Sequence, residues 1–373
     1  MSEAPQTFPF YRLTGTHRAI GRQFGEACVG LIHTHREAAT ARRRQRDGVS
    51  SAQTLRAAAR FRDYVIEYAP FFDEEIQGVA EGAGLSLDDA YLLQLRAELS
   101  SPSVLRAFAE TAECTTFAAL AEATSDGVPL VGQNADLPAL YQGIGVVLEI
   151  VPDDMPAVLM LTPAGQVSYI GINDCGLGIF ANFLTCDDWR VGFPRYLLSR
   201  LGLTCETADD AIAAMRAVPR ASSRNMLLLD AHGVAADLET TPLRDARLDP
   251  ANGLLAHSNH YVAEALHDAE RVTGAQLANS RIRLARMNAL LAKRRGQLNA
   301  EVMETLMRDR ADYPDALCRM PGDNADSDII TFASVIAAPT RGEMRVAVGP
   351  PNTHPYRRYA FTGVAAATAV GGA

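Results

Sequence analysis

The chain has 373 residues and a formal net charge of −9 at pH 7, an acidic balance that argues against nucleic acid as a partner. Hydrophobic residues make up 48% and charged residues 21% of the sequence, the composition of a globular protein with a sizeable core. Lys293 is the only lysine, so Schiff-base chemistry or a Walker A phosphate site would have to use that one residue.

The first 112 residues are predicted to be mostly helical. Residues 17–46 and 52–68 carry apolar positions at helical spacing, and Pro70 is expected to end the second segment. Residues 74–99 predict two short helices with glycines between them. The N-terminal residues lack the basic and apolar regions of a secretion signal, and no apolar run is long enough to span a membrane. We therefore expect a cytoplasmic protein whose six cysteines are free thiols.

From Cys114 onward, short apolar or alternating runs separated by turn signals predict strands. The clearest runs are TTFAALAEA, VPLVGQN, GVVLEIV, AVLMLTP, VSYIGIN and LGIFANF. Hairpins are predicted around His232-Gly233 and around Thr340 to Gly342, and helical periodicity returns at 208–218 and 277–309. Consecutive strands with helices in separate blocks predict an α+β fold built of stacked layers.

Cys114 occupies an unusual position for a structural cysteine, because it begins the strand ECTTFA directly after the helical region. If the peptide bond before it is broken, its own α-amino group becomes free, with an ordinary pKa of about 7.7–8.0. That amine can accept the thiol proton, so nucleophile and base would belong to one residue and no histidine would be needed.

Seven segments in the same order resemble one known group of enzymes. They are GTHRAIGRQFGEA, IQGVAEGAGLSLDDAYLLQLRAEL with its R-x-E ending at Arg96 and Glu98, ECTTFA, GQNADLP, NDCGLGIFANFL, HSNHY, and LCRM with the downstream TFASVI. Together they resemble the acyl-coenzyme A:6-aminopenicillanic acid acyltransferase-like group of self-processing cysteine N-terminal nucleophile (Ntn) hydrolases, from about Leu13 to Tyr359.

The resemblance implies roles for individual residues. Cys114 resembles the nucleophile, Asp136 the acid near the new N-terminus, and Asn259 a donor to the developing oxyanion. Arg319 aligns with the family's arginine. Thr115, Asn134 and His260 are expected to support the site. Cleavage is expected between Glu113 and Cys114, although the best-known fungal relatives have glycine at the position of Glu113.

The resemblance also implies a four-layer αββα sandwich of two antiparallel sheets with helices outside. Residues 1–113 would form a mostly helical leader, which self-cleavage releases as a separate chain that stays bound to the catalytic domain, 114–373. The implied activity is cleavage or transfer of an acyl group at an amide bond of a small molecule, through a Cys114 thioester. No metal or redox cofactor is implied, and a coenzyme A thioester is one acyl donor that the family allows. The alternatives are a strict amidase or peptidase with water as the only acceptor, and a non-catalytic binding protein that keeps the fold.

Overall fold

A computed structural model of the protein describes residues 7–95, 98–99, 113–323 and 327–362. Within these residues the helices are α1 (His17–Ala27), α2 (Val29–Asp47), α3 (Ser51–Ala59), α4 (Arg62–Tyr68), α5 (Pro70–Ala83), α6 (Leu87–Leu93), α7 (Arg195–Gly202), α8 (Ala208–Ala217), α9 (Gly274–Lys293) and α10 (Ala300–Met307). Short 3₁₀ turns lie at Ala121–Ala123, Ala139–Gly143, Glu264–Ala269 and Pro339–Arg341.

Fourteen strands lie within the described part of the chain. They are β1 (Phe10–Gly15), β2 (Glu113–Ala119), β3 (Leu130–Pro138), β4 (Gly145–Pro152), β5 (Val158–Pro163), β6 (Ile170–Asn173), β7 (Gly178–Asn182), β8 (Arg224–Leu229), β9 (Ala235–Thr240), β10 (Asp245–Leu248), β11 (Leu254–His257), β12 (Ile329–Ala338), β13 (Glu343–Val348) and β14 (Tyr356–Ala360).

The strands form two sheets. The larger sheet has the order β1-β4-β5-β6-β7-β8-β9-β10, and the smaller has the order β11-β2-β3-β12-β13-β14. All pairings are antiparallel except that of β1 with β4, which is parallel. The prediction of two antiparallel sheets therefore fails at this one edge, because a leader strand that the sequence analysis did not find joins the larger sheet there.

Three apolar clusters separate four layers. Inward side chains of the two sheets, such as Leu159 and Phe332, meet in a shared core between them. The outer face of the larger sheet packs under the leader helices together with α7 and α8, and the outer face of the smaller sheet packs under α9 and α10. This order of helix, sheet, sheet and helix confirms the predicted αββα sandwich.

The leader is mostly helical, as predicted, but its segments divide differently. The segment 17–46 forms two helices that meet at Cys28, and Pro70 begins α5 instead of only ending the helix before it. Proline suits the first position of a helix, because the amide hydrogen that it lacks has no partner there in any case. Further along, the predicted helices, strands and hairpins after Cys114 are confirmed.

Glycines let α1 and α5 approach until their backbones touch. A β-carbon on Gly21 would lie 2.0 Å from the carbonyl oxygen of Glu75, and one on Gly78 would lie 2.3 Å from that of Arg18. Gly25 and Gly82 are also crowded, one turn further on, with nearest atoms at 2.7 Å and 2.3 Å from such a β-carbon. The I-G-x-x-x-G pattern of the leader is therefore explained by helix packing and not by catalytic chemistry.

Candidate active site

Cys114 lies near the start of an interior strand of the smaller sheet. Its strand, β2, is hydrogen-bonded to β11 on one side and to β3 on the other, with Cys114 opposite Ala135. Only 2% of the residue is exposed. Cys114 lines a small pocket whose other walls include Leu137 of β3 and Phe183 after β7. The thiol is therefore held on a rigid element at the wall of a pocket.

The backbone nitrogen of Cys114 has a side-chain partner outside the sheet. Its N–H donates to Oδ1 of Asn259, 2.7 Å away, and the side-chain amide nitrogen of Asn259 donates to the carbonyl oxygen of Phe183 at 3.0 Å. Asn259 follows β11, and its own N–H donates to Oγ of Ser280. The nitrogen that an oxyanion donor would use points to Phe183 in this structure, so the oxyanion role of Asn259 stays a prediction. The geometry instead makes Asn259 an acceptor for the nitrogen of Cys114.

Arg283 of α9 binds the carbonyl side of Cys114. The sequence analysis did not identify Arg283 as a site residue. This fully buried side chain donates from Nη1 to the carbonyl oxygen of Cys114 at 2.6 Å and to Oγ1 of Thr115 at 2.9 Å. Its Nη2 donates to Oδ1 of Asn259 at 2.9 Å, while its Nε donates to Asn279 at 2.8 Å. Because Oδ1 of Asn259 accepts from two donors, the orientation of that amide is fixed.

Asp136 lies on β3 directly opposite Glu113, one residue before the nucleophile. It is fully buried and accepts a hydrogen bond from Oγ1 of Thr331 at 2.7 Å. Nε of Arg319 lies 3.8 Å from its Oδ2. The structure thus places Asp136 and Arg319 together beside the start of β2.

The three predicted supporting residues have different hydrogen-bond partners. Thr115 accepts from Arg283, as described above. Asn134 donates to the carbonyl oxygens of Met307 and Leu317, which ties β3 to the end of α10. His260 bonds Oγ of Ser280 through Nδ1 at 2.8 Å. Among the contacts of the described residues, none joins His260 to Cys114.

The electrostatic environment keeps the thiol protonated while the chain is intact. Burial raises the pKa of Cys114 to about 11, and the negative charge of Asp136 acts in the same direction. The backbone amide of Asp136, the side chain of Gln133 and the charge of Arg283 favour the thiolate and oppose this rise in pKa. A proton acceptor next to the sulfur is therefore needed at neutral pH, and no histidine supplies it among the described contacts.

The R-x-E segment of the leader is only partly described. Arg96 lies outside the described residues, as does most of the segment between α6 and β2. Glu98 is described, and one of its oxygens accepts from the backbone N–H of Arg195 at 3.1 Å. In the described part of the chain no helix is both long and apolar enough to cross a bilayer, and all six cysteines are free thiols.

Comparison with known proteins gives a consistent result. Residues 123–353 match the family described as acyl-coenzyme A:6-aminopenicillanic acid acyl-transferase. The acyl-coenzyme A:6-aminopenicillanic-acid-acyltransferase 40 kDa form of Emericella nidulans is 25% identical over 308 residues, which cover 82% of this chain and 83% of the relative.

Two solved structures are also similar at 12% sequence identity. One is a variant of conjugated bile acid hydrolase from Clostridium perfringens, with a TM-score of 0.47 over 69% of this chain and 100% of that chain. The other is penicillin V acylase from Agrobacterium tumefaciens, with a TM-score of 0.42 over 63% of this chain and 83% of that chain.

The fold and the site together are an αββα sandwich with a buried thiol near the start of an interior strand. The family match extends over more than half of the sequence, so the chain belongs to the acyl-coenzyme A:6-aminopenicillanic acid acyl-transferase family. This membership confirms the predicted family and the prediction of an enzyme of acyl-transfer and amide-bond chemistry.

Proposed function

We propose that the protein is a self-processing cysteine Ntn enzyme that cleaves or transfers an acyl group at an amide bond through a Cys114 thioester. The observation that carries the proposal is the position of the Cys114 nitrogen, 2.7 Å from Oδ1 of Asn259 in a buried site beside a pocket. An ordinary strand residue bonds only its neighbouring strands, whereas this nitrogen has a dedicated side-chain acceptor. The same acceptor would orient the free amine after cleavage.

Processing needs only groups that are already adjacent. The sulfur of Cys114 attacks the carbonyl carbon of Glu113, a carbon–sulfur bond forms, the carbon–nitrogen bond breaks, and the thiol proton ends on the Cys114 nitrogen. Water then opens the resulting thioester and leaves a carboxyl group on Glu113 and a free thiol on Cys114. The new α-amine remains next to Asn259.

Turnover repeats the same attack on a substrate. The amine of Cys114 takes the thiol proton, the sulfur adds to the substrate carbonyl, and the proton passes to the leaving amine as the thioester forms. Water or an acceptor amine then takes the acyl group, so hydrolysis and transfer share one intermediate. A coenzyme A thioester could load the same sulfur by thiol exchange, and no metal or redox cofactor takes part in this scheme.

The leader is proposed to stay bound after cleavage. β1 remains paired with β4, and α1 and α5 cover the outer face of the larger sheet. Neither contact involves the bond between residues 113 and 114. The two chains therefore form one domain by packing, although the covalent link between them is lost.

Intact-mass analysis tests the proposal. The wild-type chain should give two fragments, one ending at residue 113 and one beginning at residue 114, whereas Cys114→Ala should remain a single chain. Cys186→Ala is a matched control, since Cys186 is equally buried but lies away from β2, and it should be processed normally. An active protein that shows only the full-length mass would refute the proposal.

A second experiment separates catalysis from processing. The leader and the catalytic chain are produced as two polypeptides, with Cys114 either N-terminal or preceded by a retained methionine. Only the form with a free Cys114 amine should release amine from an amide substrate, while both forms should react with iodoacetamide. Full activity with the methionine retained would mean that another group is the base.

A further inference from the structure

Two buried arginines line the pocket that holds Cys114. Arg195 is the first residue of α7 and Arg224 is the first residue of β8, and each is only 3% exposed. Both guanidinium groups stack on aromatic rings, that of Arg195 at 4.5 Å from the ring centre of Phe183 and that of Arg224 at 4.8 Å from that of Tyr196. Their positions are thus fixed by packing as well as by hydrogen bonds.

Among the described residues, the positive charge of this pair is only partly balanced. Nη1 of Arg224 donates to the backbone carbonyl oxygen of Arg195 at 3.0 Å, and no carboxylate of the described residues lies within ion-pair distance of Arg224. Arg195 has one acidic neighbour, Glu98, whose Oε2 is 3.6 Å from its Nε. In the part of the chain that the structure describes, one carboxylate therefore faces two guanidinium groups.

One nitrogen of this pair also has no hydrogen-bond acceptor within the described ranges of the chain. Nη1 of Arg195 is buried and has no partner among the described residues. A buried donor without a partner is costly, and one attached to a charged group more so. Burial lowers the pKa of Arg224 to about 10, which still leaves it cationic at neutral pH. The wall of the pocket is therefore cationic and holds a donor for which the described residues offer no acceptor.

We propose that Arg195 and Arg224 bind a carboxylate of the amide substrate, which makes an acyl compound with a free carboxylate the preferred substrate class. The inference rests on the proposed function, since it assumes that this pocket receives the substrate of Cys114. A carboxylate matches the planar fork of a guanidinium group and would satisfy the unused donor of Arg195. Tyr169, Phe183 and Tyr196 supply apolar surface for the rest of the molecule.

The carboxylate could belong to either side of the scissile amide. On the acyl side, the substrate would be a mono-amide of a dicarboxylic acid. On the amine side, it would be an N-acyl amino acid. Two pairs of compounds, one for each side of the amide, distinguish these cases.

The test compares charged and neutral members of each pair. Glutaryl anilide is compared with its methyl ester, and phenylacetylglycine with phenylacetylglycinamide, by measuring kcat/KM for amine release. We expect the charged member of one pair to be preferred about 10- to 100-fold, the usual effect of a charge-assisted hydrogen-bonding site. The pair that shows the preference identifies the side of the amide that carries the carboxylate.

Arg224→Gln should remove the preference: kcat/KM for the charged compound should fall about 10- to 100-fold, while kcat/KM for the neutral compound changes less than about twofold. Arg224→Lys should restore part of it, because the charge returns without the fork. Arg220→Gln removes another buried arginine, whose guanidinium binds backbone carbonyls away from the pocket, and should affect both compounds equally. Equal rates for charged and neutral compounds in both pairs would overturn the inference and leave the proposed function intact.

Binding provides a readout that does not depend on catalysis. Calorimetry with the Cys114→Ala chain should detect binding of the charged compound of the preferred pair. The same chain should bind the neutral compound at least about tenfold more weakly, and adding Arg224→Gln should abolish this difference in affinity. Charge-selective binding by a wild-type protein that cleaves no amide would overturn the proposed function alone. Binding without charge selectivity would overturn the assignment of the two arginines.

Discussion

Replacement of Arg283 by lysine should impair processing and turnover through the position of Cys114. Lysine keeps the positive charge but cannot reach the Cys114 carbonyl, Thr115 and Asn259 at once, as the guanidinium group does. A hydrogen bond to a charged group is worth about 1.5–3 kcal/mol. If one such bond from Arg283 is lost and the transition state is destabilised by that amount, the rate of reaction at Cys114 should fall about 10- to 150-fold. Because Arg283 orients the nucleophile and does not line the pocket, the loss should appear in kcat with little change in KM.

The assay has two parts. Intact-mass analysis at intervals after synthesis measures processing, and the two-chain form with a free Cys114 measures kcat and KM without any need for self-cleavage. Arg286→Lys is the matched control, because Arg286 lies on the same helix but pairs with Asp309 near the surface, and it should behave like the wild type. Normal processing and normal kcat in Arg283→Lys would refute the positioning role. A rise in KM alone would mean that Arg283 contacts the substrate.

Three further predictions concern pH and packing. With a methionine retained before Cys114, the rate of iodoacetamide labelling should rise about tenfold per pH unit from pH 7 to 10, since burial and Asp136 raise the thiol pKa to about 11; a plateau near pH 8 would contradict this. Gly78→Ala should lower the free energy of unfolding by about 1–3 kcal/mol, because α1 leaves no room for the added β-carbon. Gly30→Ala should raise the free energy of unfolding by up to about 1 kcal/mol, because no atom lies within 4 Å of the β-carbon there and alanine favours the helix. Burial lowers the pKa of His257, but the carboxylates of Asp237 and Glu239 raise it more, to about 9 overall. The protonated imidazole therefore contributes its full stabilisation below pH 6.5, and this stabilisation is lost as the pH rises through 9. Urea unfolding should therefore show a loss of stability over that range that is absent in His257→Gln.

The parts of the fold that the sequence predicted are those with strong local signals. Both predicted hairpins are present, with glycines at positive φ at Gly233 and Gly342, where the backbone must turn. β1 was missed because its sequence, FYRLTG, has no clear alternation and only one of its residues is buried. Its place depends on pairing with β4, more than a hundred residues away, which no local pattern encodes.

The candidate site divides in the same way. Cys114, Asp136 and Asn259 were found because each lies within a recognisable short sequence block. The structure places all three in one buried region. Arg283 was missed because α9 carries several arginines that look alike in sequence. A signal was nevertheless present: Arg283 falls on the same stripe as Met287 and Leu291, where an apolar side chain is expected. A charged residue on a buried stripe needs polar partners, and here these partners are the nucleophile and its neighbours.

The parallel pairing of β1 with β4 has a practical consequence for handling the enzyme. An affinity tag fused to the leader should retrieve the catalytic chain even when every molecule has been cleaved, since β1 contributes the outermost strand of the larger sheet. Pulling the leader away would leave β4 with unpaired backbone groups and strip the apolar cover from that sheet. Such a stripped chain would associate with other copies in solution, so preparations intended to isolate it alone should yield precipitate instead of a working enzyme.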